Sequence, residues 1–316
     1  MIISASRKTD IPAYFSEWFI NRIREGYVLT RNPMNAHQIS RVPLTPDVVD
    51  CIVFWTKNPV PMMSHLEELK DYKYYFQFTL TGYGKDLEAH LPDKKIILLP
   101  AFRKLATKIG PEKVIWRYDP IAFNDVYTPE YHLSAIKQIA EYLRGYTNKC
   151  VISFVDIYRS KNKTTLDSMK IAESSDDTMY SFASRLVDIV KSMDMEVSSC
   201  SEKIDLSSLG ITHNSCIDKD LIEKICEGTI KVSKDKSQRL ECGCVASRDI
   251  GSYNTCLNGC RYCYANYSPE TVKATYAKYD PKSPILCDSV DESAGDEITE
   301  VKAKSLIDKQ IRLNLT

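Results

Sequence analysis

Ile52-Val53-Phe54-Trp55 and Val151-Ile152-Ser153-Phe154-Val155 are apolar at nearly every position. A strand wetted on one side alternates apolar with polar residues. A continuous apolar run implies a strand covered on both faces, as in a parallel sheet between other layers. β-rich runs of this kind lie at residues 2–5, 51–55, 74–80, 114–118, 151–157 and 196–199. Between them, residues 12–25, 61–70, 95–107, 130–144 and 177–192 read as helices. In one of these, Ile136, Ile139, Ala140 and Leu143 recur at helical spacing and form an apolar stripe. Such alternation predicts parallel strands joined by helical crossovers. About six units fit before residue 230, so the expected fold is α/β, a TIM-like or partial (β/α) barrel. An open doubly wound sheet is the alternative. No glycine-rich dinucleotide fingerprint follows a strand, which disfavours a Rossmann domain.

The chain has 316 residues, 43% of them hydrophobic and 27% charged, enough for one large core or two modest ones. Net charge is zero, so no global field attracts nucleic acid. The nineteen tyrosines would suit base stacking, but single-strand binding also needs a basic groove, so nucleic acid is only weakly supported. The N-terminal residues lack a signal-peptide pattern, and no run approaches the roughly 20 apolar residues that span a membrane. A cytoplasmic protein with no membrane partner is expected. Eleven cysteines, an odd number at uneven spacing, argue against a secreted disulfide framework and for metal or redox chemistry.

Most of those cysteines lie late. Residues 1–228 read as the barrel-like domain and 229–267 as a cysteine-rich segment. That segment has too few apolar residues for its own core, so it must dock on the barrel mouth. Residues 268–316 read as an extension packing on the barrel, extended, with an acidic stretch and a short terminal helix. Within the middle segment stands Cys256-Leu257-Asn258-Gly259-Cys260-Arg261-Tyr262-Cys263. Three thiolates at this spacing can wrap one corner of an iron–sulfur cube and leave the fourth iron open. Gly259 suits a tight loop that needs positive φ. The competing reading is a structural zinc knot, in which Cys260 and Cys263 would be one half of a paired-cysteine unit.

Cys-x3-Cys-x-aromatic-Cys resembles the cluster signature of radical S-adenosylmethionine (radical SAM) enzymes, and Tyr262-Cys263-Tyr264 resembles the spore photoproduct lyase group within them. The usual signature lies early in the chain; here it begins at residue 256. The whole chain resembles an uncharacterised family, a domain of unknown function with radical-SAM-like C-terminal cysteines. The stretches that carry this are Ser4-Ala-Ser-Arg-Lys-Thr-Asp10, Phe54-Trp-Thr-Lys-Asn-Pro59, Trp116-Arg-Tyr-Asp-Pro120 and Cys242-Gly-Cys244. The resemblance implies a 4Fe–4S cluster on Cys256, Cys260 and Cys263, S-adenosylmethionine on the open iron, and a 5'-deoxyadenosyl radical. It further implies Tyr262 beside the adenine and a ferredoxin or flavodoxin electron donor. It implies no substrate.

A second set of thiols is Cys200, Cys216, Cys242 and Cys244. Converged, they would hold an auxiliary Fe–S cluster or zinc, with His213 as an alternative ligand; dispersed, they are unlinked thiols. Cys51, Cys150 and Cys226 read as packing residues, and Cys287 has no evident context. Polar residues also recur where strands end: Arg7, Lys8, Asp10, Lys57, Arg117, Asp119, Asp156 and Glu202. In a parallel barrel that rim is the site. Arg117 or Lys57 would hold the cofactor carboxylate, and Glu202 its ribose hydroxyls. Singly, each reads more as an ion-pair or loop-capping residue than as a catalyst. The expected function is a radical SAM-like iron–sulfur enzyme on an unknown substrate. The alternatives are a non-catalytic zinc or Fe–S binding module, or a barrel hydrolase or isomerase with a structural metal.

Overall fold

The computed structural model describes residues 1–157 and 162–308. Eleven strands are present among them: β1 (Ile2–Ala5), β2 (Tyr27–Asn32), β3 (Asn35–Pro43), β4 (Cys51–Thr56), β5 (Tyr74–Thr79), β6 (Val114–Ile121), β7 (Lys149–Phe154), β8 (Glu196–Ser199), β9 (Thr212–His213), β10 (Arg248–Asp249) and β11 (Glu297–Glu300). Eight form one sheet, in the order β10-β1-β4-β5-β6-β7-β8-β9, and every pairing in it is parallel. The other three form a small sheet, β11-β3-β2.

The large sheet runs in one direction from β1 to β9 without the reversal that marks a doubly wound sheet. It is nevertheless open. Among the described residues β9 and β10 do not pair, so the closed TIM-like barrel expected from the sequence is not formed. The physical reason lies at the edges. β9 and β10 contribute only two residues each, and each pairs on one side alone, with β8 and with β1.

Alternate residues of each strand enter different layers. Ile3, Phe54, Phe76, Trp116 and Ile152 join the helices α2 (Ser16–Glu25), α4 (Leu99–Ile109), α5 (Pro129–Leu143) and α7 (Asp176–Lys191) in the main core. Ile2, Cys51, Val53, Tyr75, Ile115 and Val151 face the other way, toward Cys216, Val245 and α8 (Lys219–Cys226). Each large side chain buried in this way contributes roughly 1.5–3 kcal/mol. The continuous apolar strands of the sequence are thus covered on both faces.

Local signals place the helices. Thr128 caps α5, accepting from Tyr131 N–H at 3.2 Å, and Pro129 opens it. Ser175 caps α7, and Gly26 ends α2 at φ 76°. The segment after residue 228 is threaded into the same body. β10 lies beside β1, β11 beside β3, and Trp18 Nε1 donates to Ser283 O at 2.9 Å. At the start of the tail, read from the sequence as extended, lies a helix, α9 (Pro269–Tyr276). The predicted short terminal helix does not occupy 301–308, and 309–316 lie outside the described residues. No helix among the described residues is long and apolar enough to cross a membrane.

Candidate functional site

The C-terminal ends of the strands form a rim, and the loop 254–265 lies across it. Asn254 N–H donates to Ala265 O at 3.0 Å, closing the loop at its base. Asn266 Nδ2 donates to Cys256 O at 2.8 Å. Gly259 takes φ 67°, and a Cβ there would meet His90 Nδ1 at 2.9 Å, so both backbone angle and space call for glycine. Asn258 fixes the loop to the sheet. Its Nδ2 donates to Asp10 Oδ2 at 3.0 Å, and its Oδ1 accepts from Tyr14 Oη at 2.9 Å.

Cys256, Cys260 and Cys263 lie close enough that their charges act on one another. Burial is the largest influence on Cys256 and raises its pKa well above the usual thiol value, with Asp10 and the other two thiols adding to it. Burial also pushes Cys260 up to about 12; Lys57 opposes the rise while Glu88 and Cys263 add to it. Ala265 N–H donates to Cys263 Sγ at 3.3 Å. A metal cation bound by Cys256 and Cys260 would oppose the rise in their pKa and favour their thiolates.

Beside them sits a buried ionic knot. Glu88 is 1% exposed. Its Oε1 accepts from Lys57 Nζ at 2.7 Å and from Tyr262 Oη; its Oε2 accepts from Thr81 Oγ1 at 2.9 Å and from Lys94 Nζ. Burial alone would raise this carboxyl, but the two ammonium groups override it and hold its pKa at about 2. A π-helical turn, Lys94–Leu98, brings Lys94 to that position. Lys57 Nζ also reaches Tyr262 Oη at 2.9 Å. Lys57 and Tyr262, both named from the sequence, are therefore brought together, and both are tied to Glu88. The Tyr262 ring packs against Tyr83, with centroids 5.7 Å apart. Asp10, read from the sequence as a rim charge, is instead a buried staple. It accepts from Ala13 N–H, Lys57 N–H and Asn258, which partly offset the upward push of burial on its pKa.

The second set of thiols converges on the inner face. Cys200 Sγ and Cys216 Sγ stand 3.4 Å apart. Cys216, Cys242 and Cys244 share one buried cluster with Cys200 packed against it, and Cys244 acts electrostatically on both Cys216 and Cys242. Arg117 Nη1 donates to Cys216 Sγ at 2.8 Å and Asn214 Nδ2 to the same sulfur at 3.4 Å. Ile217 N–H donates to Cys244 Sγ at 3.3 Å. The Arg7 guanidinium acts electrostatically on Cys244 and lies over the Trp55 ring, 5.3 Å from its centroid. The interaction with Cys244 outweighs burial and lowers Cys242 to about 6. His213, offered as an alternative ligand, is exposed on β9. Among the described residues no set of three or more His, Cys, Asp or Glu side chains is already posed to hold a metal ion.

Arg117 and Glu202 stand elsewhere on this rim. Arg117 spends its Nε and Nη2 fork on Asp119, while Nη1 reaches Gln77 and the second thiol group through Cys216. Burial lifts Glu202 to about 7, although Phe154 N–H donates to it at 2.7 Å; Asp156 and Asp119 add to the rise. A separate cavity opens at the opposite rim, between Asn148, Lys149, Glu196, Asp218 and Lys224, and contains no thiol. Glu88, Lys94 and Asn258 carry the geometry of the first site, yet sequence reading passed over them. Asn258 was legible within the cysteine motif itself; Glu88 and Lys94 lie in a connection with no motif.

A one-way parallel α/β sheet with a cysteine loop across its C-terminal rim and a second thiol group on its inner face defines the class. Within it, the chain belongs to the family DUF1848, a domain of unknown function, whose model matches residues 2–265. That match includes the whole large sheet and both thiol groups, and ends before α9. No curated protein matches the chain.

Proposed function

We propose that this protein is a radical SAM-type iron–sulfur enzyme, with Cys256, Cys260 and Cys263 as ligands of a 4Fe–4S cluster at the rim. The observation that carries the reading is the grouping of three mutually interacting thiols from one loop beside a rim of buried ionic residues. Besides one another, the ionisable groups acting most strongly on Cys256 and Cys260 are Asp10, Lys57 and Glu88, none of them a thiol. That donor set fits a cluster with one iron left open. When bound, the cluster and S-adenosylmethionine would supply one-electron cleavage of the sulfonium and hydrogen abstraction from an unknown substrate.

The chain's own residues hold this arrangement. Asn258 and Asp10 fix the loop, and Gly259 lets it turn against His90. Lys57, kept charged by Glu88, favours the Cys260 thiolate. Tyr262 is locked by its hydroxyl and its ring, which places the backbone between Cys260 and Cys263. Glu202, with a pKa of about 7, can hold or release a proton at the rim. In this reading the open sheet is a partial barrel with the loop over its mouth. A ferredoxin or flavodoxin supplies the electron in a reducing, cytoplasmic setting, where the eleven cysteines, all free in the structure, stay reduced.

The test is anaerobic reconstitution with iron and sulfide, reduction, and addition of S-adenosylmethionine, with 5'-deoxyadenosine measured by chromatography. Product from the native chain supports the reading. A chain that takes up zinc without sulfide and forms no product would overturn it in favour of a metal-binding module.

A further inference from the structure

We infer that Cys200, Cys216, Cys242 and Cys244 are the four ligands of a single mononuclear metal ion of the zinc class, which clasps the two open edges of the large sheet. This centre is distinct from the loop of Cys256, Cys260 and Cys263 and does not depend on how that loop is read.

Distance selects the nuclearity. Zinc binds thiolates at about 2.3 Å, so two sulfurs of a tetrahedral site lie about 3.8 Å apart. The Cys200–Cys216 separation of 3.4 Å is close to that edge, and Cys216, Cys242 and Cys244 lie in one buried cluster with Cys200 packed against it. An Fe–S cube puts its ligand thiolates on different irons, well beyond contact. An auxiliary cube, open as a reading of the sequence, would require Cys200 and Cys216 to separate. A mononuclear site instead requires the four side chains to draw together within the cluster they already share.

Charge and position agree with that choice. Four thiolates around a divalent ion leave two negative charges. Two guanidinium groups face the thiols: Arg117 on Cys216 and Arg7 on Cys244. Arg7 Nη2 is buried and has no hydrogen-bond partner, a donor left for thiolate sulfur. Asn214 Nδ2 and Ile217 N–H also donate to the sulfurs, as outer-shell groups do at metal–thiolate sites. The ligands come from both ends of the strand order. Cys200 and Cys216 follow β8 and β9 at one edge, while Cys242 and Cys244 precede β10 at the other. Among the described residues the strands β9 and β10 do not pair; one backbone hydrogen bond, Val245 N–H to Ile217 O at 3.1 Å, joins the two cysteine segments, and the metal would clasp them further.

The experiment uses the full-length chain carrying Cys256→Ala, Cys260→Ala and Cys263→Ala, which removes the other thiol group. Purified under reducing conditions, it is expected to keep one zinc per chain and no sulfide. Exchange with cobalt(II) is expected to give the intense visible bands of a tetrahedral thiolate site. Adding Cys200→Ser should weaken cobalt(II) binding by more than the ~100-fold that loss of an outer-shell partner costs. Cys226→Ser, a thiol outside the group, should leave the spectrum unchanged. Should Cys200→Ser unfold the chain, Arg117→Gln provides the second readout, with ~10-fold weaker binding. A reduced, folded triple variant that binds neither zinc nor cobalt(II) overturns the proposal. So does one that carries several irons with sulfide, or one whose cobalt(II) spectrum is indifferent to both Cys200→Ser and Arg117→Gln.

Discussion

The loop thiols and the inner-face thiols are assembled in opposite ways. Cys256, Cys260 and Cys263 come from eight consecutive residues, and their sulfurs feel one another's charge. Cys200, Cys216, Cys242 and Cys244 come from three separate segments and gather in one buried cluster, with the Cys200 and Cys216 sulfurs 3.4 Å apart. The neighbours differ as well. An ammonium bound to a buried carboxylate stands beside the loop, whereas two guanidinium groups face the inner-face thiols directly. Sequence spacing is therefore a poor guide to the nuclearity of a thiol site. Sulfur separation is the better one, because it is set by how many metal ions share the ligands.

The largest expected effect breaks the comparison at the loop. Cys260→Ala should abolish 5'-deoxyadenosine formation from S-adenosylmethionine while leaving cobalt(II) binding at the inner-face group intact. Cleavage that survives in this variant would remove the loop from the chemistry.

Glu88→Ala comes next. It strands Lys57 and Lys94 as buried charges and should cost about 3–5 kcal/mol, read as a lower urea midpoint. An unchanged midpoint would show that the knot does not support the loop.

Acid should act in the same region. His132 is fully buried; its Nε2–H donates to Ala122 O, its Nδ1 accepts from Tyr118 Oη, and its ring packs on Tyr83 under Tyr262. Burial holds its pKa at about 4, below the ordinary 6.5. The neutral ring's contribution is therefore complete above pH 6.5 and is lost as pH falls toward 4, on the order of 3 kcal/mol in all. Urea midpoints at pH 7 and pH 5 check the sign. His132→Phe should flatten that dependence.

Asn258→Ala should have a smaller effect, about 1–3 kcal/mol, because Asp10 and Tyr14 lose a buried partner. Its distinctive result is local: faster loss of iron from the loop with no change in cobalt(II) affinity at the inner-face group. The finest contrast is chemical. In the metal-free chain at pH 7, iodoacetamide should label Cys242, held near 6, ahead of Cys260, pushed up to about 12. Mass spectrometry of the labelled peptides reads the order.

Much of the fold was legible in the residues. All six expected strands occur and are consecutive neighbours in the large sheet, because burial on both faces leaves a run of apolar side chains that no other environment requires. The hairpin of β2 and β3 was missed; its charged and polar residues, such as Arg31, Asn32, His37 and Gln38, dilute the strand pattern. The two-residue strands β9 and β10 carry no pattern at all. In the site, the cysteine loop was legible because its ligands are local. Glu88 and Lys94 were not, since a buried ion pair is defined by partners distant in the chain.

Sequence alone determined the parallel α/β character, the helix stripes and the three-thiol loop, because each depends on spacing within one segment. Tertiary structure decided that the sheet stays open, that Asp10 is a staple, and that four scattered thiols meet between two arginines. Those outcomes depend on contacts among segments far apart in the chain, and no local period of residues records such distances.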